Sequence, residues 1–126
     1  MSDQYCCQSG ETLVFTCAGA AYSGQVANHA GLSLMTGGKA NLFCIAALAA
    51  EIPDKLDRAR KASKRIAIDG CEDHCCSKIM QSLGVPLDQH VVVTDMGIEK
   101  QPEKMQMVVH AKRVVENIKE NLLRST

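Results

Sequence analysis

Short apolar runs alternate with longer amphipathic segments along this chain. Three of the runs are apolar on both faces and predict buried strands: TLVFTC (12–17), RIAID (65–69) and HVVVTD (90–95). A fourth run, NLFCIAA (41–47), is rich in alanine, but its position between two helical segments favours a strand. Strands of this kind are typical of a parallel sheet that is covered on both sides.

Four further segments are predicted to be helices, because each has residues typical of helix ends or carries an apolar stripe. They are Ser23–Met35, Pro53–Lys64, Glu72–Leu83 and, approximately, Glu103–Arg124. In the last helix, apolar residues recur at steps of three and four and predict a face docked on the sheet: Val108, Ala111, Val115, Ile118 and Leu122.

This alternation of strands and helices predicts an α/β fold, a Rossmann-like three-layer sandwich with a mainly parallel sheet of about four strands. A chain of 126 residues is long enough to bury one core of common size. We therefore expect a single α/β domain over residues 12–126, preceded by a flexible N-terminal tail over residues 1–11.

Composition and charge exclude several classes of protein. The net charge is zero and aromatic residues make up 3% of the chain, which argues against nucleic acid as a partner. No window of about 18 residues is apolar throughout, so no membrane span is expected. The first residues lack the basic and apolar regions of a secretory signal, and we expect a cytoplasmic protein.

The seven cysteines carry most of the chemical information in the sequence. An odd number fits poorly with a closed disulfide framework, and thiols stay reduced in the cytosol. Cys6–Cys7 and Cys75–Cys76 are adjacent in sequence, and neighbouring α-carbons about 3.8 Å apart are too close for an ordinary disulfide. Free thiols are therefore expected.

Four of the cysteines are predicted to meet at one edge of the sheet. Cys17 ends the first strand, Cys44 lies in or ends the second, and Cys71 follows the third. Ligands of open parallel sheets bind at this edge, outside the carboxyl ends of the strands. Cys75 is four residues beyond Cys71, so a helix beginning near Glu72 would place both thiols on one face.

Four thiolates match a closed tetrahedral zinc site, and Zn²⁺ is the predicted cofactor and partner, bound by Cys17, Cys44, Cys71 and Cys75. Soft sulfur ligands also suit an iron–sulfur cluster or Cu(I), and the C-x3-C spacing does not choose among these. Two alternatives stay open: the cysteines are only core residues, or Cys17 and Cys71 serve a thiol redox or sulfur-transfer enzyme.

Other residues near Cys71 have smaller predicted roles. Asp69 is expected to shape the turn by accepting hydrogen bonds from backbone N–H groups, and support of the thiolates from behind is the alternative. His74 could replace one of the ligands, and Lys78 either offsets the negative charge of the thiolates or is a surface residue. Cys76 is expected to point into the core, because five residues correspond to about 140° around a helix from Cys71.

The segment from Gly19 to Gly24 has the glycine spacing of a phosphate-binding loop. Gln25 and Val26 follow, where such a loop carries lysine and then serine or threonine, so the groups that hold phosphate and magnesium are missing. The sequence therefore argues against a nucleotide-hydrolysing enzyme. The small residues here permit close approach of the backbone to whatever Cys17 binds.

Four segments, in order along the chain, are similar to those of one known family: CAGAAYSGQ (17–25), LFCIAALAAEIP (42–53), IDGCEDHC (68–75) and HVVVTDMGI (90–98). On these segments the chain resembles the DGC-domain family, for which zinc binding is inferred. The family takes its name from the Asp-Gly-Cys that stands here at 69–71.

The resemblance implies four chelating cysteines, which map onto Cys17, Cys44, Cys71 and Cys75. Two positions depart from the family pattern. Alanine follows Cys17 where serine is expected, and the extra Cys76 leaves open which of the last two cysteines is the ligand.

Overall fold

The computed structural model describes residues 10–125 of the chain, and side chains as far as Asn121. Of the predicted tail, residues 1–9 lie outside this range. Glu11, its last residue, accepts two hydrogen bonds of 2.9 Å from the guanidinium of Arg58. The division into a tail and one domain stays a prediction.

Four strands and five helices follow one another along the described residues. The strands are β1 (Thr12–Thr16), β2 (Asn41–Phe43), β3 (Lys64–Asp69) and β4 (Gln89–Val92). The helices are α1 (Tyr22–Thr36), α2 (Ile45–Ala49), α3 (Pro53–Lys61), α4 (Cys75–Ser82) and α5 (Met107–Ser125). A short 3₁₀ helix, Val93–Met96, follows β4.

The four strands form one sheet in which all neighbours run parallel, in the order β2-β1-β3-β4. The connections that leave β1 and β3 therefore lead to opposite sides of the sheet, and the order reverses between these two strands. Open α/β sheets bind ligands at such a switch point, outside the carboxyl ends of the strands. The structure confirms the predicted three-layer α/β fold.

Helices cover both faces of the sheet. α1 and α5 pack on one face, against Val14, Ile66 and Ile68, whereas α2, α3 and α4 pack on the other, against Leu13 and Phe15. Successive residues of a strand point to opposite faces, so the central strands β1 and β3 contribute to both cores. This is why these runs are apolar throughout.

Two strands end three or more residues before their apolar runs do. In the run 41–47, only residues 41–43 form a strand, and α2 begins at Ile45. Alanine has the highest helix propensity, so the alanine-rich half of this run becomes helical. The run 90–95 is a strand only as far as Val92 and then forms the 3₁₀ helix.

The buried stripe predicted for the last helix is wrong at its first residue. Val108 is 70% exposed, and Met107, where α5 begins, packs against the core instead. The buried side continues through Ala111, Val114 and Ile118, at steps of three and four residues. Although α5 has 19 residues, neither it nor any other described helix is apolar enough over a sufficient length to cross a membrane.

Candidate metal centre

A cavity of about 240 Å³ opens at the switch point, beside the carboxyl ends of β1 and β3. Three of the predicted ligands line it: Cys17 directly after β1, Cys71 two residues after β3, and Cys75 at the start of α4. The other lining residues are mostly small: Gly19, Ala20, Ala21, Ser23, Gly24, Gly70, Asp73 and Lys100. Two strand ends and a helix start thus bring three thiols to one cavity.

Close contacts between glycines hold the segments around this cavity together. A methyl group on Gly70 would lie 2.5 Å from the backbone nitrogen of Gly24, and one on Gly24 would lie 2.7 Å from that of Gly19. Real side chains do not make contacts this short, so the segments pack backbone to backbone. The glycine spacing that resembles a phosphate loop therefore serves close packing next to Cys17.

The sulfur of Cys17 is half-buried and accepts hydrogen bonds from the backbone. The N–H of Gly70 donates at a nitrogen–sulfur distance of 3.2 Å, and the N–H of Gly19 donates as well. Burial raises the pKa of the Cys17 thiol above its ordinary value, although both hydrogen bonds oppose this effect. The N–H groups favour a thiolate there, and a bound cation would compensate the charge that burial disfavours.

The helix that carries Cys75 begins later than predicted. The expected start was Glu72, whereas α4 begins at Cys75. Residues 71–74 form a turn in which the N–H of His74 donates to the carbonyl of Cys71 at 3.2 Å. Cys71 and Cys75 therefore do not share a helix face, and the turn brings them to the same cavity.

Asp69 is the physical reason for this later start. Its carboxylate accepts hydrogen bonds from the N–H of Cys76 at 2.7 Å and from the N–H of Ser77 at 3.2 Å. These N–H groups belong to the first turn of α4 and have no partner within the helix, so the carboxylate caps them. The prediction that Asp69 binds backbone N–H groups is confirmed.

The adjacent cysteines of α4 have different surroundings. Cys75 is exposed, while Cys76 is fully buried in the core on the α4 side of the sheet. Burial raises the pKa of the Cys76 thiol well above its ordinary value. The prediction that Cys76 points into the core is confirmed, and Cys75 is the one that lines the cavity.

Cys44 lies at the same edge of the sheet but lines a different cavity. It directly follows β2, is the residue before the first turn of α2 and is exposed. Its cavity, of about 340 Å³, also contains Thr16 and Ala18, the residues on either side of Cys17. The structure therefore places Cys44 next to the three-thiol cavity without bringing it inside.

The three thiols share a cavity without being packed together. Among the residues that the structure describes, one trio of potential ligands has all its ligand atoms within 4.8 Å of one another: Cys71, Glu72 and Asp73. Sulfurs bound tetrahedrally to one zinc at about 2.3 Å lie about 3.8 Å apart. Joint binding by Cys17, Cys71 and Cys75 therefore requires side-chain rotation, which the exposure of Cys75 and Cys71 permits.

Lys100 also lines the cavity, whereas Lys78, the lysine considered in the sequence analysis, is not among the lining residues. Its ammonium group hydrogen-bonds Cys71 and lies 3.9 Å from the carboxylate of Asp73. The charge of a Cys71 thiolate, and this hydrogen bond, raise the pKa of Lys100. The loop before α5 reaches the cavity because the N–H of Ser23 donates to the carbonyl of Lys100 at 3.1 Å.

His74 is not among the residues that line the cavity. It precedes α4 with a backbone in the left-handed region, at φ 53° and ψ 42°. Its ring lies edge-to-face against that of His90, with the centroids 5.1 Å apart. The role of His74 as a substitute ligand stays a prediction.

These surroundings predict the order in which the thiols react with iodoacetamide in metal-free protein. The exposed Cys44 and Cys75 should react first, followed by the half-exposed Cys71. Cys17 should react more slowly because burial raises its pKa, and Cys76 should react only on unfolding. Mass spectrometry of peptides after timed reaction measures this order. Labelling of Cys76 before Cys17 in folded protein would contradict it.

Comparisons with known proteins identify the family of the chain. Residues 13–119 match the DGC domain. The chain is 31% identical over 88 residues to the Anaerobic and virulence modulator AnvM of Pseudomonas aeruginosa. The aligned region covers 70% of this chain and 67% of that protein. No solved structure gives a significant match. The family match extends from β1 into α5 and includes every cysteine of the candidate site. The chain therefore belongs to the DGC-domain family.

Proposed function

We propose that this protein binds one zinc ion through cysteine thiolates at the carboxyl ends of its strands. The observation that carries the proposal is the cavity at the switch point, lined by Cys17, Cys71 and Cys75. Cysteines that only fill a core are buried, as Cys76 is, whereas none of these three is fully buried.

The chemistry of the cavity suits a soft cation. Thiolates are preferred ligands of zinc, and the N–H groups of Gly19 and Gly70 together with the ammonium of Lys100 can offset their negative charge. The hydroxyl of Ser23 is fully buried, lines the same cavity and has no hydrogen-bond partner among the described residues. A group bound in the cavity would satisfy it.

Each of the three thiols belongs to a different segment, so their joint binding would link β1, the turn after β3 and α4. A bound zinc supplies a structural cross-link when four thiolates hold it, and a Lewis acid when one position is open. Lys100 lies beside Cys71, so its ammonium group would offset part of the negative charge of the bound thiolates in either case.

We propose Cys44 as the fourth ligand. It follows β2, which neighbours β1, and it is exposed at the same edge of the sheet as the other three. Because Cys44 lines the adjoining cavity together with Ala18, the side chain of Cys44 and the segment around Ala18 would have to shift for its thiol to join them. Ala18 has a positive φ of 47°, so the chain bends sharply between the two cavities.

Removing zinc with a chelator should expose the thiols without unfolding the protein. Small zinc fingers gain about 10–16 kcal/mol from the metal because they have no other core, whereas this chain has a packed core on each face of its sheet. Far-UV circular dichroism should keep its helical signal while Cys17, Cys71 and Cys75 become reactive toward a thiol reagent. Complete loss of that signal, or equal thiol reactivity with and without zinc, would argue against the proposal.

Thiol chemistry at Cys71 is the second candidate function, and the contact with Lys100 favours it. Reactive cysteines often have an ammonium group beside them, and here Lys100 contacts Cys71, whose thiol also donates to the carboxylate of Asp73 at 3.7 Å. Cys17 is less suited to be the nucleophile because burial raises its pKa, but it lines the same cavity and could act as a resolving thiol. A protein that binds no metal and whose Cys71 reacts faster than the more exposed Cys44 would favour this function.

A further inference from the structure

Asp69 ends β3 and is 1% exposed, so its carboxylate is effectively inside the protein. A buried carboxylate is unfavourable unless its oxygens accept hydrogen bonds. Oδ1 accepts from the N–H of Cys76 and Oδ2 from the N–H of Ser77, at 2.7 and 3.2 Å. These bonds fasten the end of β3 to the first turn of α4.

His90 provides a third hydrogen bond to the same carboxylate. Its Nε2 lies 2.8 Å from Oδ2 of Asp69, and Nε2–H is the donor because a carboxylate only accepts. His90 stands on β4, the neighbour of β3, and its ring contacts that of His74. The imidazole therefore links β4 to Asp69, which precedes the turn, and to His74, which ends it.

We propose that Asp69 and His90 are positioning residues of the thiol site, which hold the backbone of the segment from Cys71 to Cys75 so that both thiols line one cavity. This inference rests on the proposed zinc binding and extends it to two residues that touch no metal. Asp69 lies two residues before Cys71 and binds the N–H of the residue after Cys75. One carboxylate thus holds both ends of the segment that carries these thiols.

Apart from this anchor, the turn is held by its own backbone hydrogen bond and by side-chain contacts at exposed positions, such as that of Lys100 with Asp73. It is four residues long, contains the left-handed backbone of His74 and is closed by one backbone hydrogen bond of 3.2 Å. If it moved freely, each binding event would have to order two thiols, which lowers the affinity for the metal. Loss of a residue that orients metal ligands typically lowers metal affinity about 10- to 100-fold.

Asp88 offers a matched control for a purely structural role. Its carboxylate accepts a hydrogen bond of 2.7 Å from the N–H of Arg65 and lies 3.4 Å from the guanidinium of the same residue. Arg65 is the second residue of β3, whereas Asp69 is the last, so Asp88 performs a similar task at the opposite end of the strand. Asp88→Asn should lower stability without reaching the thiols.

The test compares four variants by zinc affinity, measured in competition with a chromophoric chelator. Asp69→Asn and His90→Phe should weaken zinc binding about 10- to 100-fold. His90→Phe keeps an aromatic ring but cannot donate, whereas the amide of His90→Gln can donate to Asp69 and should restore most of the affinity. Asp88→Asn should bind zinc as the wild type does. Wild-type affinity in both Asp69→Asn and His90→Phe would overturn the proposal, as would an equal loss in Asp88→Asn.

Hydrogen exchange of the metal-free proteins separates this inference from the proposed function. Faster amide exchange over residues 70–77 in His90→Phe, but not in Asp88→Asn, would show that the pair positions the segment. If the wild type binds no zinc, the proposed function fails, and this exchange experiment still decides the positioning role. Unchanged exchange over these residues in His90→Phe would overturn the positioning role. Because this result does not depend on Asp69→Asn, the test also works if that variant fails to fold.

Discussion

Gly70→Ala should lower the free energy of unfolding by about 3 kcal/mol or more and abolish zinc binding. Its methyl group would lie 2.5 Å from the backbone nitrogen of Gly24, where no side chain can rotate away to make room. Overpacking a core costs about 1–3 kcal/mol, and contact with backbone belongs at the upper end. The end of β3 would be pushed from the start of α1, which separates Cys71 from Cys17. Denaturant unfolding and chelator competition measure the two effects.

Gly19→Ala is the control for this experiment, because it adds the same methyl group at the same cavity. Its nearest neighbours would be the sulfur of Cys17 at 3.8 Å and the α-carbon of Gly24 at 3.9 Å, which are ordinary contacts. We expect its stability to stay within about 1 kcal/mol of the wild type. If Gly70→Ala were as stable as Gly19→Ala, the backbone contact between β3 and α1 would not be as close as described.

Cys75→Ser should lose zinc affinity by more than about 100-fold, beyond the loss typical of a residue that only orients a ligand. Serine has nearly the size of cysteine, but its hydroxyl stays protonated near neutral pH and is a poor substitute for thiolate. The loss should appear in both the zinc content and the chelator competition, with little change in stability because Cys75 is exposed.

Cys76→Ser, one residue further along, should behave in the opposite way. Its side chain is fully buried in the core, so an unpaired hydroxyl there should cost about 1–3 kcal/mol of stability while the zinc stays bound. Loss of zinc in Cys76→Ser with retention in Cys75→Ser would mean that the start of α4 is misplaced. Retention in both would mean that Cys71 and Cys75 are not joint ligands, and thiol chemistry would become the better function.

The sheet, its covering helices and the positions of the thiols could be predicted from the sequence because they depend on local patterns. Runs that are apolar on both faces, such as 65–69, become central strands of a covered sheet, and the residue after a strand lies at the carboxyl edge. The place of Cys17 and Cys71 at that edge follows directly. Cys76 lies in the core as predicted, but the helical spacing from Cys71 on which that prediction rested does not hold, because α4 begins at Cys75.

The binding of backbone N–H groups by Asp69 could be predicted, but its consequence for the start of α4 could not, nor could the contacts of the site that join segments far apart in the sequence. The start of α4 depends on Asp69, whose carboxylate caps the helix from outside it. His90 reaches the site from β4, and Lys100 from the loop before α5. The hydrophobic pattern of a segment indicates which residues are buried, but it does not indicate their polar partners. The same limit applies to Cys44. Its place after a strand predicts the edge of the sheet at which it lies, but not the cavity that its side chain lines.

The metal content of protein purified without oxygen under reducing conditions tests the central claim most directly. We expect about one zinc per chain and no visible absorption, because thiolate-bound zinc is colourless. A variant in which Cys17, Cys71 and Cys75 are all replaced by serine should carry none. A brown protein would identify an iron–sulfur cluster instead of zinc. Substoichiometric metal that added zinc cannot raise, or equal zinc in the triple variant, would contradict a thiolate zinc site in this cavity.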